Sequence, residues 1–360
     1  MRTLKLIGMT MIACLFTYTA TQAQVFVIER GASTTLTFDN IKAAVNALQD
    51  NDRLYLPPGG HPILPEYTWE GYNGLQNHSR ILMINKKVSI FGAGYNDGAN
   101  STVITRVGGS GTTTFAIGKD ANGSFITGVE FANVDFQLDN VSNCIVSRIR
   151  ISGNGGFRLA GIGNNNMIIE SDFRGVYPTT CFMGNISPTI SSTFSKCIFR
   201  TNAGFSNSNL HNNLFLNNQF SGTSFNNCSL SNNIIITSTT AINSQINIPG
   251  NNNTFSNNLW VGGFPSSSVS QNNTFLNEIE RESFANTFVN HDNDDFRLKP
   301  GSRGKNAGTD GTDVGIFGTV VPFKENRLPA IPHFKAKIIS PETSADGKLP
   351  VFIQIEAQDR

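Results

Sequence analysis

Two short segments carry the charge that could do chemistry. "ESDFRG" supplies Glu170, Asp172 and Arg174, and "CIFRT" supplies Arg200. Aligned on the large apolar residues Phe173 and Phe199, Arg174 and Arg200 fall at the same position of successive segments. Just upstream, "SRIRISG" adds Arg148 and Arg150, preceded by Asp135 and Asp139. Two guanidiniums on neighbouring strands, about 5 Å apart, would neutralise a uronate or a sulfate. One of them would serve as a base only with a strongly depressed pKa, which is uncommon for arginine. Arg148, Arg150, Glu170, Asp172, Arg174 and Arg200 are therefore the candidate ligand-binding set, and no catalytic residue is assigned. The competing reading is a surface ladder of opposite charges, each pair contributing little.

Elsewhere the equipment for catalysis is thin. From Val176 to Asn277 there is no Asp or Glu. Those residues alone supply neither the paired acids of a glycosidase nor a carboxylate cage for Ca²⁺, so no cofactor is expected. "HDNDDF" holds Asp292, Asp294 and Asp295, which read as turn and closing residues. His211 has no carboxylate near it in sequence and reads as an exposed bend residue. "FGAGYNDG" lacks phosphate-loop spacing and a following helix, so it reads as a turn.

The chain has 360 residues, 39% hydrophobic and only 15% charged, with 27 Phe. That excludes a charge-driven disordered chain. A formal net charge of +1 without a basic stripe speaks against nucleic-acid binding. "MRTLK" followed by "LIGMTMIACLFTYTA" and "TQAQ" reads as a signal peptide of residues 1–23, cleaved between Ala23 and Gln24. A lipoprotein box ending at Cys14 is the second reading, weakened because the apolar run continues past Cys14. No other stretch is long and apolar enough for a membrane helix. Four cysteines then remain, Cys144, Cys181, Cys197 and Cys228. They are expected to be buried thiols, with disulfides as the alternative.

The elements that would position the charges come from an internal repeat. "NNNMIIESDFRG", "ISSTFSKCIFRT", "HNNLFLNNQFSG", "FNNCSLSNNIII" and "NNNTFSNNLWVG" share polar residues, an apolar residue, a polar pair and a large apolar residue. The large residues are Phe173, Phe199, Phe220, Ile235 and Trp260, expected to point inward in one column. A weaker motif between them leads with Phe157, Phe182, Phe205, Phe225 and Ile242. The mean spacing is about 22 residues, with period-2 alternation and no helical pattern. Such units cannot bury an apolar face alone, so they stack as coils of short parallel strands, a β-solenoid. Asn makes up 21 of the 77 residues from Thr201 to Asn277. It suits tight bends with left-handed backbone, and its amide can ladder along a stack.

Both ends of the array resemble a known family. "TFDNIKAAVNALQDNDRLYLPPGGH" is similar to the N-terminal segment of β-helix proteins of the pectate-lyase-like superfamily. In that family an amphipathic helix, here capped by Thr37 or Asp39 with Ile41, Ala44, Val45 and Leu48 buried, covers the open end. "ILMINKKVSIFGAGYND" resembles an early coil, and "DDFRLKPGSRGKNAGTDGTDVGIFG" resembles the closing segment of secreted bacterial members. The resemblance implies an all-β right-handed parallel β-helix of about 9–11 coils with an N-terminal capping helix, over residues 24–318. Residues 319–360 read as a linker and a short C-terminal β tail of two strands.

The family holds lyases, hydrolases and adhesins, so activity is argued from residues. The expectation is an exported, non-catalytic β-helix, secreted, periplasmic or at the surface of a bacterium. It would bind a glycan or a partner, or act as a rigid element. Its partners would be an acidic polysaccharide, or a cell-envelope protein held through the C-terminal tail. The alternative is a polysaccharide lyase or glycoside hydrolase acting on an acidic polysaccharide.

Overall fold

The computed structural model describes residues 25–65, 67, 78–95, 100–107, 112–174, 182–184, 191–201, 203–216, 224–240, 245–246, 250–265, 272–323, 333–339, 347–348 and 351–356. Residues 1–24, with Cys14, and Cys181, Phe220 and Ile242 lie outside them.

Each coil contributes one strand to up to three sheets, here called A, B and C. In one coil these are Phe125–Thr127 in A, Glu130–Ala132 in B and Asp135–Asp139 in C. Among the described residues sheet A has twelve strands, sheet B ten and sheet C seven. Apart from Phe26–Arg30, which runs antiparallel to both Thr34–Phe38 and Arg53–Tyr55, every pairing in the three sheets is parallel. The ten described strands of sheet B mark ten stacked coils, consistent with a parallel β-helix.

The coils stack because one side chain per sheet B strand turns inward. Ile104, Phe131, Ile151, Phe173, Phe199, Phe215, Ile235 and Trp260 pair in register and are all buried. Phe173 and Phe199 stack at 5.2 Å, and Phe199 and Phe215 at 4.9 Å. The expected column therefore exists, with one correction: Phe215, not Phe220, is its member in the coil after Phe199. "LHNNLFLNNQF" contains the polar-pair pattern twice, and the first copy takes the rung. Its outward neighbour is then Leu214 rather than Gln219, and only an apolar side chain fits the outer face there. Coil length varies freely, since equivalent residues of successive coils are 16, 20 or 25 apart.

The corner between sheets A and B explains the asparagines. Gly128, Arg148, Glu170, Lys196, Asn212, Asn232, Asn257 and Asn277 follow paired sheet A residues, and all have φ between 49° and 72°. Gly and Asn tolerate that left-handed backbone, whereas other residues are strained in it. The next residue points inward and forms a ladder. Asn213 N–H donates to Asn233 Oδ1 at 2.8 Å, Asn233 N–H to Asn258 Oδ1 at 2.9 Å, and Asn258 N–H to Glu278 Oε1 at 3.1 Å. Buried backbone donors that no strand can satisfy are thus paired. Cys197 is a buried free thiol at this inner position, and Cys144 and Cys228 are buried free thiols at the matching corner that leads into sheet A, after Asn143 and Asn227. Asn213, Asn166 and Asn253 accept from their backbone N–H groups.

Near the first coil, helix α1 (Ile41–Ala47) buries Ile41, Ala44 and Val45, as the apolar spacing predicts. Its N-cap is Asn40, whose Oδ1 accepts from Ala43 N–H at 2.8 Å, not Thr37 or Asp39. Asp39 instead accepts from the Asn40 amide at 2.7 Å. The tail forms an antiparallel pair, His333–Ile339 with Val351–Glu356.

The outer face of sheet B changes character along its length. In one register column Glu130, Arg150 and Asp172 give way to Ile198, Leu214, Ile234 and Leu259. An apolar outer face must be covered. The segment after the last coil does this, laying Phe288, Phe296, Leu298, Val314 and Ile316 across it as a strap.

Candidate functional site

The outer face of sheet B brings four of the six candidate residues together where its charged half meets the strap. Strand register puts Arg174 beside Arg200, as the alignment on Phe173 and Phe199 requires. Asp172 lies between them with its side chain fully buried. Its Oδ2 accepts from Arg174 Nε at 2.7 Å and its Oδ1 from Arg200 Nε at 3.0 Å. Asp294, from the strap, closes the arrangement at 2.6 Å from Arg174 Nη2 and 3.0 Å from Arg200 Nη1. Arg150 is the fourth, 4.0 Å from Asp172 and 3.7 Å from Glu130. Its guanidinium lies over the Tyr95 ring, and that of Arg200 over Phe296.

Three arginines thus face three carboxylates. Burial alone would raise Asp294, but Arg200 and Arg174 outweigh it and hold its carboxyl below the usual range. Burial pulls Arg174 down, and Asp172 with Asp294 more than restores it. Arg150 is lowered, because burial there exceeds the pull of Asp172. Each carboxylate in the group is engaged by arginine. The arginines still keep N–H donors beyond those used, and their side chains remain 21% to 32% exposed at Arg200 and Arg174.

Arg148 and Glu170 form a separate pair. They stand on adjacent rungs of the left-handed corner, with Arg148 Nε 2.6 Å from Glu170 Oε2. The expectation that Glu170 flanks Arg174 and Arg200 places it on the wrong side of the strand. Corner residues 170 and 148 project from the bend before sheet B, whereas Asp172 and Arg174 project from the sheet itself. Lys196, on the next rung, donates to the Val321 carbonyl of the strap.

Asp294 is the member that sequence reading missed. It is 120 residues from Arg174 and adopts the left-handed conformation at φ 61°. The acid-rich "HDNDDF" is the available signal, although in sequence it reads as turn chemistry, and Asp294 does end a 3-10 turn. His211 is also placed differently from expectation: it ends a sheet A strand, half-buried, with Nδ1 3.1 Å from Ser195 Oγ. Burial lowers its pKa.

Two further features lie off this cluster. On sheet C, Asp135 Oδ1 accepts from Gly156 N–H at 2.8 Å, and Arg158 Nη2 approaches Asp135 Oδ2 at 3.0 Å. Burial raises the Asp135 pKa against the pull of Arg158. On sheet B, a cavity of about 220 Å³ is lined by Arg200, Leu216, Ile236, Thr239, Phe284 and His291. Among the described residues no group of three or more His, Cys, Asp or Glu is placed to hold a metal ion, and no helix is long and apolar enough to cross a membrane.

Compared with known proteins, the chain matches no family model and no curated protein.

Proposed function

We propose that the chain is an exported, non-catalytic β-helix that presents a rigid surface to an acidic glycan or a cell-envelope partner. In this reading it is a right-handed parallel β-helix of the pectate-lyase-like superfamily, α1 closes its N-terminal end, and residues 1–23 direct export. One observation carries the reading: Arg174 and Arg200 are bridged twice, by Asp172 and by Asp294. That fixes two guanidiniums side by side, with spare donors for a carboxylate or sulfate, and leaves no base beside them.

The test uses the purified mature chain with polygalacturonate, alginate and a neutral glucan. Retardation in affinity gels by an acidic polymer, without release of unsaturated or reducing ends, is the expected result. The enzyme reading keeps one supporting observation, the raised carboxyl of Asp135 beside Arg158. Release of ends that disappears in Asp135→Asn would make that reading correct.

A further inference from the structure

The strap crosses sheet B, whereas the outer face of sheet A meets solvent. Inward-facing residues of sheet A, such as Leu54, Ile90, Ile126, Val146 and Ile168, are buried in the core. The alternate positions face outward, and on five successive strands they form an apolar stripe of Tyr55, Phe91, Phe125, Ile145 and Met167. Met167 is 42% exposed, and the other four are half-buried. The Tyr55 and Phe91 rings lie 5.2 Å apart and nearly parallel, and Phe125 follows at 5.7 Å. At such separations rings are offset rather than fully overlapped, so each keeps part of a face toward solvent. The Tyr55 ring is held by its hydroxyl, which donates to Glu29 Oε2 at 3.0 Å.

Size and charge decide what this stripe takes. Neighbouring strands are about 4.8 Å apart and alternate residues about 7 Å, so the stripe measures roughly 20 Å by 7 Å. A stable protein interface buries about 800 Å² on each side, several times that area. The surroundings are also uncharged. From Ser89 and Phe91 to Thr274 and Leu276, neither outward column contains Asp, Glu, Lys or Arg. Hydroxyl side chains, among them Thr127, Ser147 and Thr193, border the apolar rungs instead. The charged pair at the first coil, Arg53 and Glu29 at 3.3 Å, neutralises itself. An anionic polymer or an acidic lipid surface finds no countercharge here. A neutral sugar chain matches on both counts: the C–H faces of a pyranose are apolar and lie against aromatic rings, while its hydroxyls pair with Ser and Thr. We infer that the outer face of sheet A is a binding site for an extended, neutral, β-1,4-linked polysaccharide, its chain running along the stack of coils over Tyr55, Phe91 and Phe125. Such a chain is straight and advances about one rung per sugar, whereas an α-1,4-linked chain coils away from a straight stripe. The site lies on a different sheet from the arginine cluster and does not rest on the acidic-glycan reading.

Titration calorimetry of the full mature chain tests this, with cellohexaose and mannohexaose as probes and maltohexaose as control. At least one probe should bind saturably with a Kd of roughly 1 mM or below, and maltohexaose at least tenfold more weakly. The double variant Phe91→Thr/Phe125→Thr places on these rungs the residue that Thr127 and Thr193 already supply in the same columns. Loss of two ring contacts should weaken binding by about tenfold or more. Phe91→Tyr/Phe125→Tyr keeps the rings and should stay within about threefold of wild type. Both variants are first shown to be folded by cooperative thermal unfolding. No binding of either probe to the wild type would overturn the inference. So would equal binding of maltohexaose, or unchanged affinity in the folded threonine variant. A wild-type dimer in sedimentation velocity that the threonine variant converts to monomer would assign the stripe to a second copy and overturn it too. These probes carry no charge, so their failure leaves the acidic-glycan test standing.

Discussion

Asn232 and Thr309 hold each other by two hydrogen bonds. The Asn232 amide donates to Thr309 Oγ1 at 2.9 Å, and Thr309 N–H donates back to Asn232 Oδ1 at 3.0 Å. Asn212 and Asn257, the neighbouring corner residues, donate to the strap carbonyls of Gly315 and Ala307. The left-handed corner asparagines therefore do two jobs, turning the chain and clamping the strap. Replacing Asn232 by Gly keeps the turn and removes the clamp, at a cost of about 1–2 kcal/mol. Asn232→Ala adds left-handed strain, roughly 1 kcal/mol more. Limited proteolysis should show earlier cleavage within 283–323 in both variants, with Ala the worse; unchanged protection would contradict the clamp.

Asp172 and Asp294 should differ sharply although both bridge the same arginines. Asp172 is fully buried, so Asp172→Asn leaves neighbouring arginines undercompensated and should cost about 3–5 kcal/mol. Asp294 is about a third exposed, and Asp294→Asn should cost about 1 kcal/mol. The Asp294 pKa is depressed in the folded state, so its contribution is present above the unfolded carboxyl pKa and lost as pH falls through the folded one. Asp294→Asn should thus lose stability relative to wild type at pH 7 but not at pH 2, measured by denaturant unfolding.

Glu278 behaves in the opposite sense. It ends the inner asparagine ladder, accepting from Asn258 N–H and from the indole N–H of Trp260. Burial raises its pKa to about 7, although both donors oppose the rise. A raised folded pKa gives stability that is present below the unfolded value and lost as pH climbs through about 7. Glu278→Gln keeps the acceptor without the charge. It should match wild type near pH 4 and exceed it in stability above pH 7, and a constant difference across that range would rule the account out.

The thiols should be inert in the native protein. Burial pushes Cys197 up to about 12 and Cys228 up to about 11, and raises Cys144 as well. Little thiolate is present at neutral pH, and access is closed. An aromatic disulfide reagent should label none of the three until the chain is unfolded without reductant, when all should react. Rapid native labelling at Cys197 would mean that the corner opens.

Phe215 tests the register of the array. Phe215→Ala removes a buried ring stacked on Phe199 and should cost about 3–5 kcal/mol in urea unfolding. A loss below 1 kcal/mol would return the rung to another residue.

The coil repeat was legible in the sequence because stacking is nearly a local rule. Each coil repeats a polar pair followed by a large apolar residue, so Phe173 and Phe199 announce one column, and with it the adjacency of Arg174 and Arg200. The buried stripe of α1 was legible for the same reason, its apolar spacing being contained within one turn or two. What depended on distant chain was not. "LHNNLFLNNQF" offers two phenylalanines in the same pattern, and the strap's demand for an apolar Leu214 on the outer face selects Phe215. Asp294 joins Arg174, 120 residues earlier, and Arg200 of the next coil, contacts that no periodicity encodes. The asparagine corners could be read as turns, but their second role appears only when residues 307–315 return to meet them. Local spacing sets the strand and the bend; loop length sets where the strap lands, and only the folded chain decides which charges it neutralises.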